Sequence, residues 1–197
     1  MSRRNGEATR KRIVAQAAGL LNCQGYLRAP VSEIMRVTGL QKGGIYNHFE
    51  SRDALALEAF NYAFGRMRDR LLSAVSRKKS PSDKLRALIG VMRDATKLDE
   101  FKGGCPIMNL AIESDYADPR LRAAAREAMG QLVGLFERII REGMELGEFA
   151  KGDAHARASH MVAAVEGGLM LSNLYKDESY VRNIASRLEQ EVSEGLR

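Results

Sequence analysis

Along almost the whole chain, apolar residues return every three or four positions. Ile13, Val14, Ala17, Ala18 and Leu21 set the pattern, and Leu55, Phe60, Phe64, Met67, Leu71, Leu72 and Val75 repeat it. That spacing gathers apolar side chains on one face of a helix, whereas a half-buried strand needs strict alternation, which is scarce here. A chain patterned this way buries its hydrophobic surface by packing helix on helix. The reading is all-α.

Glycine and proline divide the pattern into elements. Gly25 stops the first helix, and Pro30 sits in the first turn of a short second one over 31–37, which Gly39 closes. Lys42 to Phe49 is a third short helix, and Ser51 is the expected N-cap of a fourth that runs to the polar break RKKSPSD at 77–83. Leu85, Leu88, Ile89 and Met92 carry a fifth to about Leu98, and FKGGCP at 101–106 is a turn before the short helix PIMNLAIES. Pro119 opens a long helix through Leu132 and Phe136 to near Gly147, another spans Ala154 to Tyr175, and the last begins near Glu178. About nine helices result, three small ones in front of a larger bundle.

Charge is divided as unevenly as length. Residues 1–52 hold nine Lys/Arg against three acids, while the remainder is balanced at 22 of each, so the whole net charge of +6 sits in the first quarter. A basic module joined to a neutral body points to a polyanion as partner. No apolar run approaches the roughly eighteen residues of a membrane span, and the basic start MSRRNGEATRKR lacks the apolar stretch of a signal peptide. The two cysteines make no disulfide framework, so the chain is expected in the cytoplasm, with no membrane association.

The basic quarter has the outline of a helix-turn-helix DNA reader. In LQKGGIYNHFE (40–50), Ile45 and Phe49 lie four apart and face a small core, which leaves Tyr46, Asn47 and His48 to project toward a duplex. Val31, Ile34 and Met35 of the second helix pack inward behind them. Gly43 and Gly44 let the backbone come close to DNA, where free N–H groups and the helix dipole favour a phosphate. Lys42 adds a positive charge at the same end, and Arg28 joins the set of DNA-contact candidates.

Residues 10–60 resemble the N-terminal domain of TetR/AcrR-type transcriptional regulators. The match runs through Ile13, Ala17-Ala18, Gly25-Tyr26, Ile34, Gly39-Leu40, Gln41 to Phe49, and Ser51-Arg52-Asp53-Ala54-Leu55. The resemblance implies a DNA-binding domain over 1–52 and a ligand-binding and dimerisation domain over 53–197. It further implies a homodimer on a palindromic double-stranded operator, released when a small-molecule effector of unknown identity binds the C-terminal domain, with repression as the common outcome. Ala29-Pro30 stands where the family often has a hydroxyl pair, Gly44 replaces a common Thr or Ser, and Met35 and Thr38 replace frequent alanines. These departures bear on the operator contacts rather than the fold.

In the body, Ala158, Ala163, Ala164, Gly167 and Gly168 make the Ala154–Tyr175 helix rich in small residues. With Leu171, the trio Ala164, Gly167 and Gly168 is expected at the dimer interface that the resemblance implies. Met67, Met92, Met108 and Phe136 are ligand-pocket candidates, because methionine adapts to irregular apolar cavities. Cys105, at a helix start behind Lys102-Gly103-Gly104, is a further one. The stretch GGCPIMNLAIE also resembles a family subgroup with electrophile-sensing members, which makes a thiol-based redox sensor the alternative reading. Cys23 is expected to pack. A second alternative, of another class, is a helical interaction module without DNA binding. No enzyme is expected: His155 and His160 are five apart and share no helix face for a metal, and no cofactor motif is present.

Overall fold

A computed structural model describes residues 3–114 and 118–196, which contain nine α-helices and no strand. They are α1 (Arg3–Gln24), α2 (Val31–Thr38), α3 (Lys42–Tyr46), α4 (Arg52–Ser76), α5 (Pro81–Arg93), α6 (Pro106–Glu113), α7 (Pro119–Glu145), α8 (Ala154–Tyr175) and α9 (Ser179–Ser193). Among the described residues no helix is long and apolar enough to cross a membrane.

Local chemistry explains most of the boundaries. Gly39 closes α2 in the left-handed region at φ 67, where its N–H donates to the Met35 carbonyl at 2.9 Å. Side chains supply the missing acceptors at several starts: Ser51 Oγ takes the Ala54 N–H at 3.1 Å, Ser80 Oγ that of Asp83 at 3.0 Å, and Asp153 Oδ1 that of Ala156 at 3.0 Å. Cys105 occupies the N-cap of α6, with Pro106 in its first turn.

Two elements are shorter than their sequence pattern. The third helix ends at Tyr46, not Phe49, and the fifth ends at Arg93. After Arg93 the chain makes two single 3-10 turns, Ala95–Lys97 and Asp99–Phe101. The buried side chains of Ala95 and Phe101 prolong the apolar spacing without prolonging the α-helix.

The chain forms two compact units. One comprises Met1–Arg66 with Cys105–Glu127, the other Met67–Gly104 with Ala128–Arg197. Compactness therefore does not follow chain order: α6 and the start of α7 group with the N-terminal helices. In that unit, Ile13, Ala17, Leu21, Tyr26, Ile34, Ile45, Phe49 and Phe60 are all but inaccessible. The Tyr26 and Phe60 rings meet edge to face at 5.8 Å. In the other unit Gly168 of α8 lies so close to α9 that a Cβ would stand 3.1 Å from the Val181 Cα.

Cys23 does not pack as expected. Position 23 falls outside the α1 stripe formed by residues 13, 14, 17, 18, 21 and 22, and its side chain is exposed.

Candidate nucleic-acid interface

The α2–α3 pair is held from behind by few but deeply buried side chains. Ile34 of α2 is 2% exposed, and Ile45 and Phe49 are 1% and 2% exposed. Val31 and Met35 are only half-buried, and Thr38 takes the second fully buried place on α2, its hydroxyl donating to the Ile34 carbonyl at 2.7 Å. A polar residue is tolerated there because its hydrogen bond is satisfied within the helix.

With Ile45 and Phe49 turned inward, the intervening polar residues are left toward solvent. Lys42, Gly43 and Asn47 are exposed, and Gly44, Tyr46 and His48 are half-buried. Apart from its chain neighbours and its own helix backbone, no described atom lies within 4 Å of a Cβ position on Gly43. Asn47 and His48 lie in the turn that closes α3, their N–H groups donating to Gly43 and Ile45 at 3.0 and 2.9 Å. At five residues, α3 sums few peptide dipoles, so the attraction of this end for phosphate rests on Lys42 and the uncovered backbone more than on a macrodipole.

Side chains from α1, α4 and α6 seat this surface, through contacts that the sequence pattern does not reveal. Arg10 of α1 reaches across to the turn after α3, donating to the His48 carbonyl, and its guanidinium lies 4.5 Å over the centre of the Phe49 ring. The same guanidinium forks onto both carboxylate oxygens of Glu58 on α4, with Nε to Oε2 at 3.1 Å. That hydrogen bond raises the Arg10 pKa further above its ordinary value and keeps the charge in place. The loop between α1 and α2, which carries the exposed Arg28, is gripped by Arg52 of α4 and Glu113 of α6. Behind that loop the Tyr26 hydroxyl donates to Asn22 Oδ1 at 3.3 Å, and Asn109 Nδ2 of α6 donates to the same oxygen at 3.1 Å. Burial pushes the Tyr26 phenol well above its ordinary range, so it stays a neutral donor. On α2, Arg36 is hydrogen-bonded to Glu33 at 2.7 Å, which holds the Glu33 carboxyl below the usual range and raises the Arg36 pKa above its ordinary value.

The five ligand-pocket candidates do not fall in one compact unit. Cys105 and Met108 belong to the unit that holds α1 to α3, Met67, Met92 and Phe136 to the other. Cys105, Met67, Met92 and Phe136 are buried to within 1% of their surface, while Met108 is half-buried. Two cavities outlined by described residues involve none of the five. One of about 530 Å³ lies between α1 and α4, with Arg10 and Glu58 in its wall, and one of about 320 Å³ lies between α8 and α9 beside His160 and Glu191.

Of the four dimer candidates, Ala164, Gly167 and Leu171 are half-buried, and Gly167 has open space where a Cβ would be. Gly168 belongs instead to the internal α8–α9 seam. The free face of α8 also carries Ala163, Met170 and Leu174, and Leu174 is 68% exposed. His155 and His160 face different partners, Glu137 within hydrogen-bond reach at 2.9 Å and Glu191 at a looser 3.9 Å, and no cluster of three potential metal ligands occurs among the described residues.

The family model for bacterial regulatory proteins of the tetR family matches residues 13–59, and the model for tetracyclin repressor-like C-terminal domains matches residues 81–188. The chain belongs to the TetR family of transcriptional regulators. A TetR transcriptional regulator from Chloroflexus aurantiacus J-10-FL is 37% identical, with a TM-score of 0.91 and 96% of each chain covered. One from Cytophaga hutchinsonii is 28% identical, with a TM-score of 0.89 over 98% of this chain and 96% of that one. The HTH-type transcriptional regulator LmrA of Bacillus subtilis (strain 168) is 26% identical over 90% of this chain and 93% of its own length. This TetR-family protein is a DNA-binding transcriptional regulator with an N-terminal helix-turn-helix domain, matched over residues 13–59.

Proposed function

We propose that this regulator is a cytoplasmic repressor that binds a palindromic operator as a homodimer and lets go when a small molecule occupies residues 53–197. The observation that carries the DNA reading is the division of one eight-residue stretch. Ile45 and Phe49 are buried, while Lys42, Tyr46, Asn47 and His48 keep donors and acceptors at the surface, with Arg28 exposed on the neighbouring loop. Lys42 and Arg28 neutralise phosphates, and Tyr46, Asn47 and His48 bond phosphates or base edges in the major groove.

Dimerisation is supported by the stripe on α8 where Ala163, Gly167, Met170 and Leu174 recur at spacings of three and four, the glycine half-buried and the other three exposed among the described residues. Release follows from a population shift: the effector binds better to a dimer whose two heads are spaced wrongly for the operator. Cys105, at 0% exposure, gives an electrophile no approach in this conformation, so an ordinary apolar effector is the reading we adopt.

The test is to select bound fragments from genomic DNA with the purified protein and compare variants on one of them. Lys42→Ala and Tyr46→Ala are expected to weaken binding with helicity and self-association intact. Lys42→Ala is also expected to lower the salt slope by about 0.9, the share of one phosphate. Normal binding by both variants would remove the assignment of α3 as the reading element.

A further inference from the structure

The loop from Gly25 to Ala29 is held by charged side chains from two other helices, and Arg28 is the residue left standing between the grips. On one side the Glu113 carboxylate accepts the Tyr26 N–H at 3.0 Å through Oε1 and the Leu27 N–H at 2.9 Å through Oε2. On the other side the Arg52 guanidinium donates to the Leu27 carbonyl and, at 2.7 Å, to the Ala29 carbonyl. The Ala29 N–H closes the loop on the Gly25 carbonyl at 3.1 Å.

Gly25 is required by this arrangement twice over. Its φ of 100° lies in the region that side-chain-bearing residues rarely adopt, and a Cβ would sit 3.0 Å from both oxygens of Glu113. Tyr26 and Ala29 are buried at 0% and 2%, so both flanks of Arg28 are anchored while its own side chain is exposed. The site has one further oddity. Pro30 is the N-cap of α2 and makes no side-chain cap hydrogen bond, so the cap residue itself does not tie the end of this loop to the helix.

We propose that Glu113 and Arg52 are positioning residues for DNA binding, which fix the backbone on either side of Arg28 so that its guanidinium meets the operator phosphate already aligned. A carboxylate suits the donors and a guanidinium fork suits the carbonyls, because each satisfies two backbone groups at once with charge-assisted bonds. The pairs also differ in origin: α4 follows the helix-turn-helix directly, whereas Glu113 lies 87 positions beyond Tyr26 of the loop it holds. The proposal rests on the reading of Arg28 as a phosphate contact.

The experiment uses the full-length protein and a DNA fragment selected by the wild type, with affinity measured between 50 and 200 mM salt. Arg28→Ala, Glu113→Gln, Arg52→Met and the double variant Arg28→Ala/Glu113→Gln are compared, with Lys42→Ala alongside. Glu113→Gln keeps the shape but sets an amide donor against a backbone N–H. Loss of one phosphate contact lowers the salt slope by about 0.9, so each variant's disadvantage shrinks by roughly threefold across that fourfold salt range. Arg28→Ala and Glu113→Gln are each expected to show this, and the double variant to be no weaker than Arg28→Ala alone.

Additive losses in the double variant, or a wild-type slope in Glu113→Gln, overturn the proposal. Far-UV circular dichroism checks that helicity is kept. If Glu113→Gln does not fold, Arg52→Met and its double with Arg28→Ala are read by the same criteria. A changed slope in Lys42→Ala with none in Arg28→Ala retires Arg28 and the clamp but leaves α3 in place. No change in Lys42→Ala removes Lys42 as a phosphate contact and leaves the clamp to be judged by the Arg28 and Glu113 variants.

Discussion

Replacing Arg10 by methionine keeps the aliphatic stem and removes three interactions at once. The side chain is 41% exposed, so each must be taken at its solvent-screened value. The ion pair with Glu58 is worth about 0.2–1 kcal/mol. The cation over Phe49, at 4.5 Å and partly in water, adds about 0.5–1 kcal/mol. The bond to the His48 carbonyl adds about 1 kcal/mol, below the usual range for charged partners because water can replace it. The three come to about 2 kcal/mol, which for a chain of this length lowers the melting temperature by roughly 4–8 °C. Thermal unfolding followed by circular dichroism reads that shift. If the lost contacts serve to seat the turn, DNA affinity falls by no more than about thirtyfold, the equivalent of 2 kcal/mol, because only the competent fraction of the heads is reduced. The salt slope stays that of the wild type. An unshifted melt would refute the seating argument, and a slope lowered by about 0.9 would show that Arg10 is itself a phosphate ligand.

Three other outcomes are expected. A maleimide reagent applied to the native protein modifies Cys23, which is exposed, and spares Cys105, which has no accessible surface; peptide mass spectrometry separates the two, and rapid Cys105 labelling would revive the thiol-sensor reading. Leu174→Glu places a charge on the free stripe of α8 and is expected to give a single-chain species by analytical ultracentrifugation with helicity unchanged, whereas an intact dimer would move the interface elsewhere. The Arg93 guanidinium, by hydrogen bonding, holds the Asp94 carboxyl below its ordinary 3.8. Because the folded value lies below the unfolded one, its contribution is complete above about pH 4 and is lost as acid titrates the folded carboxyl. Asp94→Asn is therefore expected to flatten the acid limb of stability against pH, and an unchanged limb would show that the pair contributes nothing.

Much of the fold was legible in the sequence because its boundaries are set locally. Gly39, Ser51 and Ser80 with Pro81 act on atoms within four residues of themselves, so the residue type alone announces the helix end. The polar stretch from Lys42 to His48 was legible for a similar reason, since burying residues 45 and 49 leaves the intervening positions outside. What escaped depends on partners distant in the chain. Arg10 meets His48 and Glu58 across 38 and 48 positions, and Glu113 meets Tyr26 across 87. No periodicity encodes such pairings. The internal role of Gly168 escaped for a related reason: α8 is apolar on most of its surface, so its pattern does not say which small residues face α9 and which face away. Gly25 was the nearest thing to a signal for the clamp, as a glycine whose second duty is to make room for a carboxylate.

Hydroxyl-radical footprinting on a selected genomic fragment bears most directly on the claim that two copies of this head read one duplex. The expected pattern is two protected patches, related by two-fold symmetry and centred about 34 Å or a multiple of one helical turn apart, that vanish together in Lys42→Ala at moderate salt. A single unsymmetrical patch, or a uniform ladder at low ionic strength where the wild type should bind most tightly, would contradict it.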